Sequence, residues 1–170
     1  KEKVLGLDRY RGVICISSNA AQLGLETLSD YWPQWPVQQT WYAVGPATAE
    51  AMLPWQIKPK LPSRHDSEGL LGLASLKDLQ GERFLILKGE GGRETLRDTL
   101  TERGAIVDEI DLYRRVIPDF NIDQLKNWLA QTQATQVTPV IAISSGDALK
   151  HLITMAGELA NALKQIPLVV

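Results

Sequence analysis

Short apolar runs alternate with helical patterns along almost the whole chain, and this alternation constrains the fold more than any other feature. Candidate strands cover residues 12–16, 40–44, 57–61, 84–87, 106–112, 140–143 and 168–170. Candidate helices cover residues 19–28, 46–52, 67–73, 93–103, 123–133 and 147–156. Strands that alternate with helices in this way pair in parallel and are covered on both faces. The pattern therefore predicts an α/β fold with a mostly parallel sheet and helices on both of its faces.

Composition excludes several classes of function. The 170 residues carry a net charge of −2, with 44% hydrophobic and 22% charged residues, whereas a nucleic-acid-binding protein needs a basic face. No apolar stretch is long enough to span a membrane. The single cysteine, Cys15, lies in an apolar run and is expected in the core, so the chain has no disulfide framework. These features fit a cytoplasmic location.

Four tryptophans lie close together in the first part of the chain: Trp32, Trp35, Trp41 and Trp55. The sequence leaves open whether they pack inside the fold or form an exposed patch for a partner.

A possible repeat relates the two ends of the chain. Val13-Ile14-Cys15-Ile16-Ser17-Ser18 resembles Val140-Ile141-Ala142-Ile143-Ser144-Ser145, and each run precedes a candidate helix. Two similar βα units so far apart suggest two similar α/β domains. The alternative is that serine is simply a common residue at helix N-termini. Between the two units, residues 113–118 interrupt the alternation and are compatible with a structured crossing between domains, with a cleft nearby.

A glycine-rich turn follows the strand at residues 84–87. Its sequence is Lys88-Gly89-Glu90-Gly91-Gly92-Arg93, and a helical pattern follows at once. Glycines at such a turn leave backbone N–H groups uncovered, so the turn is suited to holding an anion. The spacing matches neither of the common phosphate-binding fingerprints. Alone, the turn is equally compatible with a non-catalytic regulatory domain that binds a nucleotide or another anion.

Further polar turns follow other candidate strands. They are Ser17-Ser18-Asn19, Gly45-Pro46-Ala47-Thr48 and Ser144-Ser145-Gly146, and the glycine turn belongs to the same set. Ligands of open parallel sheets bind outside the carboxyl ends of the strands, so these turns together predict a site for a ligand with several negative groups. For each turn alone, an ordinary helix cap is the alternative. His65 and His151 lack metal-ligand spacing, and no metal site is expected.

The ordered set of these motifs resembles bacterial uroporphyrinogen-III synthases over nearly the whole chain. The segments that carry the resemblance are Ile16-Ser17-Ser18-Asn19-Ala20, Ala43-Val44-Gly45-Pro46-Ala47-Thr48-Ala49, Ser67-Glu68-Gly69-Leu70-Leu71, Leu85-Ile86-Leu87-Lys88-Gly89-Glu90-Gly91-Gly92-Arg93-Glu94, Arg103-Gly104-Ala105 and Leu112-Tyr113-Arg114-Arg115. One departure is Ser17, where family members usually have threonine, and the hydroxyl is retained.

The resemblance implies a fold of two similar parallel-sheet α/β domains, joined by a two-stranded linker, with the active site in the cleft between them. Residues 1–112 would form the continuous domain, residues 113–116 a linker strand, and residues 117–170 part of the second domain. The rest of that domain would be missing, so the chain is expected to be truncated at both ends. A monomer is expected.

The implied activity is that of a lyase in heme biosynthesis. It cyclises the small-molecule substrate hydroxymethylbilane to uroporphyrinogen III, inverting ring D through a spiro intermediate and releasing water. No metal or organic cofactor, nucleic acid or membrane is expected to take part, and transient hand-over of substrate from hydroxymethylbilane synthase is compatible with the reaction. A regulatory module fused to another tetrapyrrole enzyme is a further alternative.

The resemblance also assigns roles to residues. Tyr113 would be catalytic, assisting departure of the terminal hydroxyl as a weak acid, although a packing aromatic at a domain crossing is the alternative. Lys88 and Arg93 would lend charge to substrate carboxylates, unless they are only solvated or paired with neighbours. The full set of expected substrate-binding residues is Ser17, Ser18, Asn19, Thr48, Lys88, Gly89, Gly91, Gly92, Arg93, Ser144 and Ser145.

Overall fold

The computed structural model describes residues 1–91, 94–135 and 138–169. The chain divides into two compact units, Lys1–Arg115 and Val116–Val170. Among the described residues, no helix combines the length and the hydropathy that crossing a bilayer requires.

The first unit alternates strands and helices. Its strands are β1 (Gly12–Cys15), β2 (Thr40–Ala43), β3 (Arg83–Gly89) and β4 (Ile106–Tyr113). Its helices are α1 (Glu2–Leu5), α2 (Ser18–Ser29), α3 (Pro46–Glu50), α4 (Ser67–Gly72) and α5 (Thr95–Glu102), with short 3-10 helices at Leu7–Arg9, Leu53–Trp55 and Ala74–Leu76. The first unit is therefore α/β, as the alternation predicts, although α1 has no counterpart among the predicted helices.

The four strands form one parallel sheet in the order β2-β1-β3-β4. Gly12 of β1 is in register with Thr40 of β2 on one side and with Phe84 of β3 on the other. The chain thus leaves β1 towards β2 and then crosses back to β3 on the opposite side. This order confirms the predicted parallel sheet, and it places a topological switch point between the carboxyl ends of β1 and β3.

Successive residues of the central strands point to opposite faces of the sheet, and both faces are covered. One core contains Val13, Cys15 and Leu87 and packs against helices α1, α2 and α3. The other contains Ile14 and Ile86 and packs against α4 and α5. Because both faces are covered, the strands read as continuous apolar runs, as expected for a buried parallel sheet.

The predicted strand at residues 57–61 is wrong. Only one isolated parallel bridge joins this segment to the sheet, between Lys60 and Tyr42. Pro59 and Pro62 flank the bridge, and proline has no N–H to donate to a β-ladder. The segment therefore runs beside the outer edge of β2 without becoming a strand.

The tryptophans pack inside the first unit. The Trp35 ring meets those of Trp41 and Trp55 edge-on, at centroid distances of 5.4 and 6.3 Å. The indole N–H of Trp32 donates to the carbonyl oxygen of Val4 over 2.8 Å. These contacts attach α1 and the segment after α2 to the core.

The second unit contains α6 (Ile122–Thr135), β5 (Ile141–Ala142), α7 (Gly146–Ala156), a 3-10 helix at Gly157–Leu159, α8 (Ala160–Leu163) and β6 (Leu168–Val169). Strands β5 and β6 pair in parallel. The small core consists of Leu125, Ala156, Leu163 and Ile166, with partly buried neighbours. The predicted strands at 140–143 and 168–170 are shorter here, and Val170 lies outside the described residues.

Candidate functional site

The carboxyl ends of β1, β3 and β4 lie at one edge of the sheet, beside the switch point. Ser17 lies just after β1, Gly89 is the last residue of β3, and Tyr113 is the last residue of β4. In sheets with this strand order, the crevice at the switch point is where ligands bind. Three of the predicted site residues are therefore brought together where the topology favours a ligand.

Ser17 is the N-cap of α2. Its Oγ accepts a hydrogen bond from the backbone N–H of Ala20 over 3.0 Å, which satisfies one of the free donors of the first helical turn. The same Oγ lies 3.0 Å from the hydroxyl of Tyr113. The serine is half-buried. A helix cap and a contact with the predicted catalytic residue are thus combined in one side chain.

Tyr113 reaches Ser17 because β4 is irregular at its end. Lys88 pairs with Asp111, but the next residue, Gly89, pairs with Tyr113, so Leu112 is an extra residue in the ladder. Such a bulge turns the following side chain to the other face of the strand. Leu112 and Tyr113 consequently both pack against the core on the α2 side.

Gly89 provides the space that the Tyr113 ring occupies. A Cβ atom at residue 89 would lie 2.6 Å from Cε2 and Cζ of the ring and 3.0 Å from the hydroxyl oxygen. Carbon atoms do not approach so closely without displacement. The absence of a side chain at Gly89 is therefore required for the observed position of the phenol.

The glycine turn is attached to the end of β4. The backbone N–H of Glu90 donates to the carbonyl oxygen of Tyr113 over 2.7 Å, and the Glu90 carboxylate lies 3.9 Å from the Arg114 guanidinium. Gly91 is exposed and has φ of 76°, a conformation that glycine adopts readily. Gly92 and Arg93, both predicted substrate contacts, lie outside the described residues.

Lys88 is buried within an ion-pair network. Only 10% of its side chain is exposed, and its ammonium lies 3.4 Å from a carboxylate oxygen of Glu109 on β4. Glu109 also lies 3.7 Å from the guanidinium of Arg97 on α5. The charge of Lys88 is thus balanced inside the protein. Its predicted contact with substrate stays a prediction.

The other predicted residues of the first unit differ in accessibility. Ser18 begins α2 and is half-buried, and Asn19 is exposed. Thr48 lies inside α3 and is only 3% exposed. Ser18 and Asn19 are more accessible to a ligand at the carboxyl edge than Thr48, whose contact with substrate stays a prediction.

Ser144 and Ser145 lie in the second unit and are exposed. Ser145 is the N-cap of α7 and accepts from the N–H of Ala148 over 3.1 Å. Its backbone angles, φ −164° and ψ 158°, nearly equal those of Ser17, −161° and 162°. The two βα turns that suggested a repeat therefore have the same local structure.

Some features of the site are not evident from the sequence. The contact between Ser17 and Tyr113 joins residues 96 positions apart, and no local pattern signals it. The bulge at Leu112, which shifts the pairing of β4 with β3, has no local signal either. The acidic residues Asp108 and Glu109 do give a signal, because carboxylates inside a partly covered strand need partners. Asp108 contacts Arg83 and Tyr10, and Glu109 contacts Lys88 and Arg97.

Neither a reactive thiol nor a metal cluster occurs among the residues that the structure describes. Burial raises the pKa of Cys15 to about 12, so its thiol is protonated and unreactive at neutral pH. No group of three or more His, Cys, Asp or Glu side chains that could hold a metal ion is found in the described part of the chain.

The fold defines an α/β protein with a candidate ligand site at the carboxyl edge of a parallel sheet. A mutant uroporphyrinogen III synthase from the extremely thermophilic bacterium Thermus thermophilus shares this fold, with a TM-score of 0.62 and 17% identity over 96% of this chain and 64% of that chain. For the wild-type protein from the same organism the TM-score is 0.58 at 18% identity, over 96% and 63% of the two chains. Identities this low establish the fold alone.

The chain belongs to the uroporphyrinogen-III synthase HemD family, whose model matches residues 1–170. It is 33% identical to uroporphyrinogen-III synthase of Salmonella typhimurium and 34% identical to that of Escherichia coli K12, over 82% of this chain and 56% of each relative. Identity to the Proteus mirabilis enzyme is 37% over 62% of this chain and 54% of that relative. The predicted family resemblance is thereby confirmed. The chain spans about half the length of these curated relatives.

Proposed function

We propose that the protein is a uroporphyrinogen-III synthase, a lyase that cyclises hydroxymethylbilane to uroporphyrinogen III. The observation that carries this proposal is the pair of hydroxyls of Ser17 and Tyr113, 3.0 Å apart at the switch point of the sheet. Family membership over residues 1–170 supports it. The reaction belongs to heme biosynthesis.

The first chemical step needs a proton donor. Tyr113 donates its phenolic proton to the terminal hydroxyl of the substrate, the C–O bond breaks, and water leaves. The pyrrole N–H then loses its proton to the phenolate, which leaves a neutral azafulvene and restores the tyrosine. The phenol of Tyr113 contributes to catalysis as a positioned proton donor.

Ring closure then proceeds with inversion of ring D. The substituted carbon of the last pyrrole attacks the azafulvene methylene and forms a spiro intermediate. The bond from that carbon to its original methylene breaks, and that methylene bonds to the free pyrrole carbon. The hydrogen there leaves as a proton, and the pyrrole nitrogen that lost its proton in the first step regains one. One water is released and no oxidant or reductant is consumed, so we expect no cofactor.

The protein contributes mainly geometry to these later steps. Because the substrate also closes unaided to the uninverted isomer, the enzyme must hold the last ring in the orientation that leads to the spiro intermediate. Donors at the carboxyl edge, Ser18, Asn19 and the amide of Gly91, are accessible to substrate carboxylates. Lys88, Thr48, Gly92, Arg93, Ser144 and Ser145 complete the proposed set.

The same proposal includes the domain arrangement. Two similar α/β domains, residues 1–112 and a domain beginning at residue 117, are joined by a two-stranded linker that includes residues 113–116, with the substrate in the cleft between them. The division of the chain after Arg115 and the matching backbone of the two serine caps support this arrangement. The proposal also includes a cytoplasmic location and a monomeric state. It further includes transient hand-over of substrate from hydroxymethylbilane synthase.

The isomer of the product tests the function. Hydroxymethylbilane is generated in place from porphobilinogen and its deaminase, the complete gene product that contains this chain is added, and the oxidised porphyrins are separated. We expect type III product. Type I product alone would contradict the proposal and favour a non-catalytic anion-binding domain.

A further inference from the structure

We propose that Ser17 is a positioning residue that acts through Tyr113 rather than a contact for the substrate. This role rests on the proposed function and adds the direction of each hydrogen bond at the site. It changes the expectation for Ser17, which the sequence places among the substrate-binding residues.

The hydrogen-bonding capacity of Ser17 leads to this role. A serine hydroxyl has one hydrogen to donate and two positions at which it accepts. One accepting position of Ser17 is used by the N–H of Ala20, over 3.0 Å. Its contact with the Tyr113 hydroxyl, also over 3.0 Å, uses either its hydrogen or its other accepting position.

Proton donation selects one of these two arrangements. If Tyr113 donates to Ser17, the phenolic hydrogen is directed at the serine and is not available to the leaving hydroxyl. In the reactive arrangement Ser17 must therefore donate to Tyr113, and its single hydrogen is then used within the protein. The hydrogen bonds run from Ala20 N–H to Ser17, from Ser17 to Tyr113, and from Tyr113 to the substrate.

This chain of hydrogen bonds supports the transfer of the phenolic proton. A hydroxyl that accepts a hydrogen bond is a stronger donor, so the Ala20 N–H strengthens the bond from Ser17 to Tyr113. That bond stabilises the negative charge that develops on the phenol oxygen during transfer. The bulge at Leu112 and the bare backbone of Gly89 hold the ring where it receives the bond.

A double-mutant cycle in kcat tests the role. In the complete gene product, Ser17→Ala should lower kcat about 3- to 10-fold, the effect of one lost hydrogen bond, and leave KM unchanged. In a Tyr113→Phe background the same substitution should leave kcat unchanged, because the recipient hydroxyl is gone. Ser17→Thr, which keeps the hydroxyl, should retain wild-type kcat.

Two further variants separate this role from the loss of a helix cap. Ser17→Gly keeps most of the capping stability and lacks the hydroxyl, so it should lower kcat as Ser17→Ala does even if the alanine variant folds poorly. Asp66→Ala removes the cap of α4, where Asp66 accepts from the N–H of Gly69 over 2.7 Å. That control should lower the unfolding midpoint and leave kcat unchanged.

The outcomes distinguish the two proposals. Type III product with kcat losses that multiply in the double variant, or with a raised KM for Ser17→Gly, would overturn the positioning role and leave the proposed function intact. Absence of type III product from the folded wild-type protein would overturn the proposed function and this role with it.

Discussion

The position of the Tyr113 hydroxyl depends on the backbone around it as much as on the tyrosine. Leu112 adds one residue to the ladder, Gly89 leaves room for the ring, and Ser17 meets the hydroxyl. Leu112 and Gly89 have no reactive groups, but they determine where the Tyr113 hydroxyl lies.

Gly89→Ala should lower activity by displacing the phenol. The new methyl group would lie 2.6 Å from two ring carbons of Tyr113, so the ring must move. We expect kcat to fall about 10- to 100-fold, towards the level of Tyr113→Phe, because general acid assistance by a weak acid is lost. The rate of type III formation measures the effect.

Gly72→Ala is the matched control for that substitution. Gly72 ends α4, and nothing lies within 4 Å of the position of its added Cβ. The control should retain activity, and its free energy of unfolding should be equal to or slightly above that of wild type. Equal activity of Gly89→Ala and wild type would contradict the proposed role of the phenol.

Tyr10→Phe should reduce the loss of stability at alkaline pH. Burial and the neighbouring Asp108 carboxylate, 3.0 Å from its hydroxyl, raise the pKa of Tyr10 to about 12. A tyrosine of the unfolded chain has a pKa of about 10. Because the folded state holds this proton more tightly, the stabilising contribution is complete below pH ~10 and is lost as the pH rises to ~12.

Urea unfolding at several pH values between about 9 and about 12 measures this effect. The free energy of unfolding should fall less steeply above pH ~10 in Tyr10→Phe than in wild type. A decline from Cys15, whose pKa burial also raises, should remain in both proteins. Tyr31→Phe, which removes an exposed phenol, is the control, and identical curves for Tyr10→Phe and wild type would refute the assignment.

At the scale of elements, strands β3 and β4 and helix α5 are linked by the ion pairs of Lys88, Glu109 and Arg97. Their carboxylate and ammonium groups are mostly covered, so each charge depends on its partner to offset the loss of hydration. Lys88, which the sequence predicts to bind substrate carboxylates, thus already has a charged partner inside the protein.

Glu109→Gln should destabilise the protein by leaving Lys88 buried without its full counter-charge. We expect a loss of about 2 kcal/mol in the free energy of unfolding, less than for a fully buried pair. The double variant Lys88→Met/Glu109→Gln should recover most of that loss, because no buried charge remains. Glu90→Gln, at an exposed pair, should change stability by less than about 0.5 kcal/mol. Additive losses in the double variant would contradict this account.

The elements that bury their side chains on one or both faces were predictable from sequence. The central strands β1 and β3 appear as apolar runs because helices cover both faces. The segment at 57–61 has aliphatic residues only at its ends, Ile57 and Leu61, and two prolines prevent it from pairing as a strand. Helix α1 is too short to show a hydrophobic period.

The candidate site was predictable in part, for a similar reason. Ser17 and Gly89 are recognisable because turns after parallel strands carry caps and glycines. The contact of Ser17 with Tyr113 depends on sheet order and on the bulge, which are long-range properties. The burial of Thr48 and the partner of Lys88 likewise follow from packing, which no local spacing encodes.

At the scale of the whole molecule, the two units differ in how much apolar surface they bury. The first has central strands whose side chains are almost fully buried, such as Val13 and Leu85. In the second, the paired strands leave Leu168 and Val169 about half exposed, at 47% and 56%. Burial of apolar area is the main stabilising contribution to folding, so the second unit is expected to be the less stable.

Hydrogen exchange tests this difference in a polypeptide of residues 1–170. Amides of β1 and β3 should exchange slowly, at rates set by global unfolding of the first unit. Amides of β5 and α7 should exchange faster through local opening, because fewer buried contacts hold them. Equal protection of the two units would show that burial within each unit does not determine their stability.

The dependence of product isomer on protein concentration tests the central claim most directly. Hydroxymethylbilane is generated in place, the complete gene product is added in increasing amounts, and the fraction of type III product is measured for wild type and Tyr113→Phe. The wild-type protein should convert nearly all product to type III, and Tyr113→Phe should need about 10- to 100-fold more protein for the same fraction. Type I product at every concentration, or identical curves for the two proteins, would contradict a synthase that acts through Tyr113.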